Sequence, residues 1–216
     1  MTRAIAVFLL CLVLAPAAAA GEHDSGTSQN LLMRYKLDDN WFFSSINNFA
    51  TRGGGGEFAI GYVDLTFGRE LGGGFSVDAG YRRAWINIGG SRDEHRPLLN
   101  LKWRGQVDDW FLLARARLEF RTFPAQFLDN RLRFRNHLLA VSPWRPGPLP
   151  ARWFIEHEGF YEFNGNGYNM NWLTTGFRVP LADGVTLKLG YRWQSMRRGG
   201  DWRHRHVLVS GLNLFF

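Results

Sequence analysis

Apolar and polar positions alternate with a period of two along most of the chain, which marks strands whose two faces meet different surroundings. The pattern is clearest in the second half. Over 108–121, Trp110, Leu112, Ala114, Ala116, Leu118 and Phe120 share one face, while Arg115, Arg117, Glu119 and Arg121 share the other. Over 130–141, Leu132, Phe134, Leu138 and Ala140 oppose Arg131, Arg133, Arg135 and His137. Over 184–196, Val185, Leu187, Leu189, Tyr191 and Trp193 oppose Thr186, Lys188, Arg192 and Gln194. The pattern predicts ten strands, over 41–50, 57–69, 74–87, 95–104, 108–121, 130–141, 151–163, 168–179, 184–196 and 203–216. Phe42-Phe43 and Tyr62-Val63 interrupt the period, so the first two strands have no assignable faces.

Gly-rich turns separate these segments, at Gly53–Gly56, Gly72–Gly74, Gly89-Gly90, Asn164–Gly167, Asp183-Gly184 and Gly199-Gly200. The stretch 143–150 carries Pro143, Pro146, Pro148 and Pro150 and must be a connection, because proline cannot donate to a sheet ladder. Most strands are long enough to cross a bilayer at a tilt, and no segment after residue 20 is an unbroken apolar run of helix-spanning length. The fold expectation is an all-β, antiparallel transmembrane β-barrel of about ten strands over 41–216, with short periplasmic turns. Residues 31–37 also alternate, weakly. Counting them gives an odd number, which bacterial single-chain barrels avoid, so 21–40 is read as a periplasmic leader. An even count places both ends of the barrel on one side.

The ends of the chain bear on location. Residues 203–216 place Leu208, Leu212, Leu214 and Phe216 opposite Arg205, Gly211 and Asn213 and stop on an aromatic. This resembles the C-terminal strand of bacterial outer-membrane barrels, which implies that Phe216 is an assembly signal read by the barrel-assembly machinery. Residues 1–20 have one charge, Arg3, an apolar run and an Ala-rich end, the layout of a cleaved secretory signal peptide. A transmembrane anchor is disfavoured because the run is short and ends in small residues. A lipoprotein reading of Cys11 is disfavoured because Leu10 precedes it where a small residue is expected. Cleavage after Ala20 removes Cys11, the single cysteine, and with it disulfide and thiolate–metal chemistry.

The chain carries a formal charge of +7. In an exported protein this points to anionic lipid headgroups and lipopolysaccharide phosphates rather than to nucleic acid. A negative mean hydropathy combined with 15% aromatic residues suits a barrel that is apolar outside and polar inside. Aromatics near strand ends, such as Trp103, Trp110, Trp153, Tyr191 and Trp193, fit interface girdles.

The candidate site is a charge cluster inside the barrel: Arg115, Arg117, Glu119, Arg131, Arg133, Arg135, Glu156, Glu158 and Glu162. A ten-stranded lumen is little wider than the eight-stranded kind that side chains fill, so carboxylates must offset the guanidinium charge. The cluster is read first as a structural core, with Arg133 and Glu158 as a candidate pair, and second as a path for small anions. No metal, cofactor or phosphate-loop motif appears. A hydrolase needs a base within reach of its nucleophile. The one His-X-Ser sequence is His23-Asp24-Ser25, in the polar leader, and His206 and Ser210 stand about 13 Å apart at strand rise. Asp201, His204 and His206 lack evident partner acids, and His157 points away from its neighbours Glu156 and Glu158. The chain is therefore expected not to be an enzyme. A membrane lipid-modifying hydrolase and a soluble exported ligand-binding barrel are the alternatives.

Three stretches, Asn130–Arg135, Phe154–Phe163 and Leu187–Gln194, resemble an uncharacterised family of bacterial exported proteins, domain of unknown function number 2490. The resemblance implies an outer-membrane barrel in a Gram-negative bacterium and brings no established activity or catalytic residues.

Overall fold

The computed structural model describes residues 25–216 except 89, 125–129, 148, 166 and 199; the expected signal peptide over 1–20 lies outside them. The chain forms eleven strands: β1 (Ser25–Lys36), β2 (Trp41–Arg52), β3 (Glu57–Gly72), β4 (Phe75–Asn87), β5 (Ser91–Val107), β6 (Trp110–Arg121), β7 (Arg131–Val141), β8 (Arg152–Glu162), β9 (Gly167–Ala182), β10 (Val185–Arg198) and β11 (Asp201–Phe215). Each strand pairs antiparallel with its chain neighbour, and β1 closes the barrel by pairing parallel to β11. The ten predicted strands are all present, several of them longer than the sequence pattern indicated.

Two expectations are corrected. Residues 25–36 are not a leader but the closing strand. Their period is faint because the outward face mixes Thr27 and Gln29 with Leu31 and Met33, while the inward face mixes Ser28 and Asn30 with Leu32. Without β1, the ladder edges of β2 and β11 would be left unpaired. The odd strand number also separates the ends of the barrel. Lys36 N–H donates to Phe216 O at 3.0 Å and Phe216 N–H to Arg34 O at 2.9 Å, which pins the end of β11 to the end of β1. The first residue of β1 therefore lies at the opposite rim from Phe216, not on the same side.

The connections sort by rim. Those after β1, β3, β5, β7 and β9 share the Phe216 rim, and those after β2, β4, β6, β8 and β10 share the other. Several are tight. At Gly184, with φ 69°, a Cβ would stand 2.4 Å from Phe215 O, and Phe215 N–H donates to Gly184 O at 2.8 Å. Only glycine admits that closure. In the β1–β2 turn the N–H groups of Trp41 and Asn40 both donate to the Asp38 carboxylate at 2.7 Å, which holds its pKa below the ordinary value.

The packing inverts that of a soluble domain. Leu65, Phe67, Leu99, Leu101, Leu118 and Phe177 face outward and are exposed. The inward face of the same strands is polar. Leu118 is 42% exposed whereas its neighbour Arg117 is 1% exposed. The pleat also resolves the two irregular doublets: Phe42 turns inward and is fully buried, while Phe43 faces out. Arg34 lies over the Phe42 ring at 3.6 Å, and Arg82 over the inward Tyr62 at 3.7 Å. Inward aromatics thus serve as platforms for guanidinium groups.

Candidate functional site: the charged lumen

Alternation alone places side chains from β3 to β10 in the lumen, and cross-strand register decides which of them meet. Glu119 on β6 is the hub. It accepts Arg135 Nη1 at 2.6 Å and Arg133 Nε at 3.1 Å from β7, and lies 3.4 Å from Arg117 Nη1 and 3.8 Å from Arg96 Nη1. Glu158 on β8 pairs with Arg115 and, at 2.8 Å, with Arg135. Glu162 pairs with Arg121 and, at 2.8 Å, with Arg131. Arg121 also reaches back to Glu94 on β5, where Arg96 donates twice at 2.7 Å. Arg117 crosses to Asp64 on β3 at 3.1 Å, and Asp64 is also held by Arg82.

All nine cluster residues predicted from sequence point inward, but two details of their contacts differ. Arg133 does not meet Glu158; it sits opposite Glu162 in the ladder and bonds Glu119. Glu156 stands apart from the arginine ladder and is instead shared by Lys188 at 2.7 Å, His137 at 3.5 Å and Arg192 at 3.8 Å. Sequence reasoning missed Asp64, Asp78, Arg82, Glu94, Arg96 and Lys102. These lie on strands where inward alanine, glycine and leucine dilute the alternation. Lys102 bonds Asp78 at 2.6 Å, and Arg34 and Arg104 share Glu70 near the Phe216 rim.

The balance of charge is uneven. Among the described residues, eight inward carboxylates hold thirteen inward Lys and Arg side chains. Every one of those carboxylates is engaged, so the network carries a surplus of positive charge. Its middle is tight, with Asp64, Glu94, Asn100 and Glu119 all 0% exposed. The wall formed by β11, β1 and β2 is different in its middle, between the inward Arg205 of β11 and Arg34 of β1. There Val207, Val209, Gly211, Ser28, Asn30 and Asn48 present small neutral groups to the lumen. A Cβ placed on Gly211 would meet only its wall neighbours, Asn30 at 3.5 Å and Lys188 at 3.8 Å.

Residues 26–205 match the family described as Protein of unknown function (DUF2490). The chain belongs to that family. No curated protein matches it in sequence. Among solved structures, the NanC porin in a rhombohedral crystal form is similar in fold, with a TM-score of 0.53 and 12% sequence identity over 88% of this chain and 96% of that one. At that identity the likeness speaks for the barrel architecture alone.

The outer face carries two further features. A groove of about 550 Å³ lies over β1–β4, lined by Leu31, Phe49, Phe58, Gly61, Val63 and Trp85. Near the opposite rim from Phe216, Ser195 Oγ and His204 Nδ1 lie 3.1 Å apart, with the imidazole stacked on Trp193 at 5.1 Å. Among the described residues no carboxylate bonds His204. His206 Nδ1 bonds Tyr191 Oη and His95 Nδ1 bonds Tyr81 Oη. His23 and Asp24 lie outside the described residues.

Proposed function

We propose that this DUF2490 chain is a Gram-negative outer-membrane β-barrel, exported through a cleaved leader, that passes small anionic solutes and has no catalytic activity. Its partners are outer-membrane lipid, lipopolysaccharide and, during assembly, the machinery that reads Phe216. The exposed Leu, Phe and Tyr side chains on the outward face support the membrane reading, since bilayer barrels are apolar outside and polar inside. A soluble ligand-binding barrel would carry its large apolar side chains inside.

The observation that carries the anion reading is the excess of cations over carboxylates in the lumen. Field lines in a low-dielectric wall are focused along the pore, so the surplus concentrates anions there. The buried pairs brace the barrel on one side, and we assign the passage to the opposite side, where Ser28, Val209 and Gly211 carry no charge. Liposome swelling tests this. Vesicles carrying the barrel should swell faster in sodium gluconate with a permeant sodium ionophore than in an isosmotic neutral sugar of similar size. Equal rates, or faster entry of the sugar, would overturn the proposal.

A further inference from the structure

Six pairs of cations stand directly opposite one another on adjacent strands inside the barrel. Four of them are Arg82–Arg96, Lys102–Arg115, Arg117–Arg135 and Arg121–Arg131. Like charges in this position have Cβ atoms about 4.5–5.5 Å apart and destabilise the sheet. In these four pairs every member is engaged by a carboxylate. The two that share Arg178 break the pattern. Arg152, the first residue of β8, faces Arg178 of β9, and neither side chain forms an ion pair or hydrogen bond with any described residue. Arg178 also has Lys188 directly opposite on its other side, which makes a row of three cations. Glu156 is the carboxylate within electrostatic reach of Arg178, and it is already bonded to Lys188 at 2.7 Å.

We propose that Arg152 and Arg178 form a receptor for the oxyanion of a soluble solute, a carboxylate or phosphate group, just inside the Phe216 rim. This rests on the anion-passage reading above and adds its binding site. Both arginines are half-buried, so their forks are reachable from the lumen yet partly screened from bulk water. Two guanidinium forks offer planar, paired donors that match an oxyanion, and an anion between them supplies the charge that carboxylates supply at the other four pairs. Phe154, fully buried, lies beneath the site, with Lys188 Nζ 4.8 Å from its ring centroid. On the far side of Lys188 the row continues to Gly211, where no side chain obstructs the wall.

The test is thermal unfolding of the full barrel in neutral detergent, titrated with inorganic phosphate replacing chloride at constant ionic strength. Phosphate should raise the unfolding temperature of the native chain in a saturable way. Arg178→Gln should weaken the apparent phosphate affinity about tenfold, as expected for the loss of a charge-assisted bond. Arg178→Lys should fall between the two, since it keeps the charge and loses the fork. Arg92→Gln, which removes an inward cation near the opposite rim, should titrate like the native chain. No phosphate effect on the native chain, or an unchanged effect in Arg178→Gln, would overturn the site. The same titration with phosphatidylglycerol in place of phosphatidylcholine in mixed micelles identifies the source of the anion. Stabilisation that follows the anionic lipid and is indifferent to free phosphate would overturn a soluble ligand. Phosphate binding does not depend on conductance. A barrel that binds phosphate but shows no preference for anions would retain the site and refute the passage reading, and an anion-selective barrel without phosphate binding would do the reverse.

Discussion

Arg117 of β6 reaches Asp64 of β3 at 3.1 Å, joining two strands that share no ladder. The same guanidinium donates through Nε to Asn100 Oδ1 at 2.7 Å on the intervening β5. Bonds of this kind turn a closed sheet into a filled cylinder. They also make the lumen charges part of the barrel's stability, because removing one partner leaves the other buried and unpaired.

Glu158→Gln should therefore lower thermal resistance in detergent, by about 3–5 kcal/mol. It removes the carboxylate partner of Arg115 and one of the two carboxylate partners of Arg135. A second change, Arg115→Gln, should recover part of the loss, whereas Arg133→Gln should not, since Arg133 bonds Glu119. Thermal melts of the three double and single variants check this; recovery by Arg133→Gln would contradict the register.

Glu57→Gln supplies the contrast. The Arg52–Glu57 pair at 2.9 Å lies at a rim and its carboxylate is 64% exposed. Exposed pairs contribute about 0–1 kcal/mol, so its melt should stay close to that of the native barrel, far from that of Glu158→Gln.

Leu118→Arg probes the outward face. Arginine facing the bilayer midplane costs about 2–4 kcal/mol, so insertion into vesicles, read by heat-modifiable gel migration, should fall, while Leu118→Phe should insert normally. Arg117→Leu is no neutral control, because it removes the partner of Asp64, Asn100 and Glu119. A Leu118→Arg chain that folds in buffer without detergent would contradict the membrane reading.

Phe216 has two separable roles, since its backbone closes the β1–β11 seam and its ring is 67% exposed. Phe216→Ala keeps the backbone bonds and removes the ring. If the ring is the assembly signal, export should persist while outer-membrane insertion drops. Normal insertion of Phe216→Ala, with loss only on deletion, would assign the effect to the seam.

Ser195 and His204 mark the catalytic alternative. With no carboxylate on the imidazole among the described residues, purified barrel is expected not to hydrolyse phospholipid esters, and Ser195→Ala should change nothing. Turnover that Ser195→Ala abolishes would show that the outward pair is a working dyad.

Much of this barrel is legible in its sequence. Where charged and large apolar residues alternate strictly, as in β6, β7 and β10, the sequence yields both the strand and its inward face. The nine cluster residues follow from that period alone. Legibility fails where the period loses contrast. In β1 the outward Gln29 and inward Leu32 blur the two faces, and the general preference for even strand numbers outweighed a faint pattern. In β3 and β4, Gly68, Gly80 and Ala84 occupy inward positions between Asp64, Asp78 and Arg82, so these acids and bases do not read as a ladder. Register is absent from the pattern altogether. The β7–β8 ladder sets Arg133 opposite Glu162 and not Glu158.

The most direct measurement is the reversal potential of the purified barrel in a planar bilayer under a KCl gradient. Thirteen cations on eight carboxylates predict a potential that lies toward the chloride equilibrium value. A potential toward the potassium value, or a bilayer that never conducts, would contradict the account.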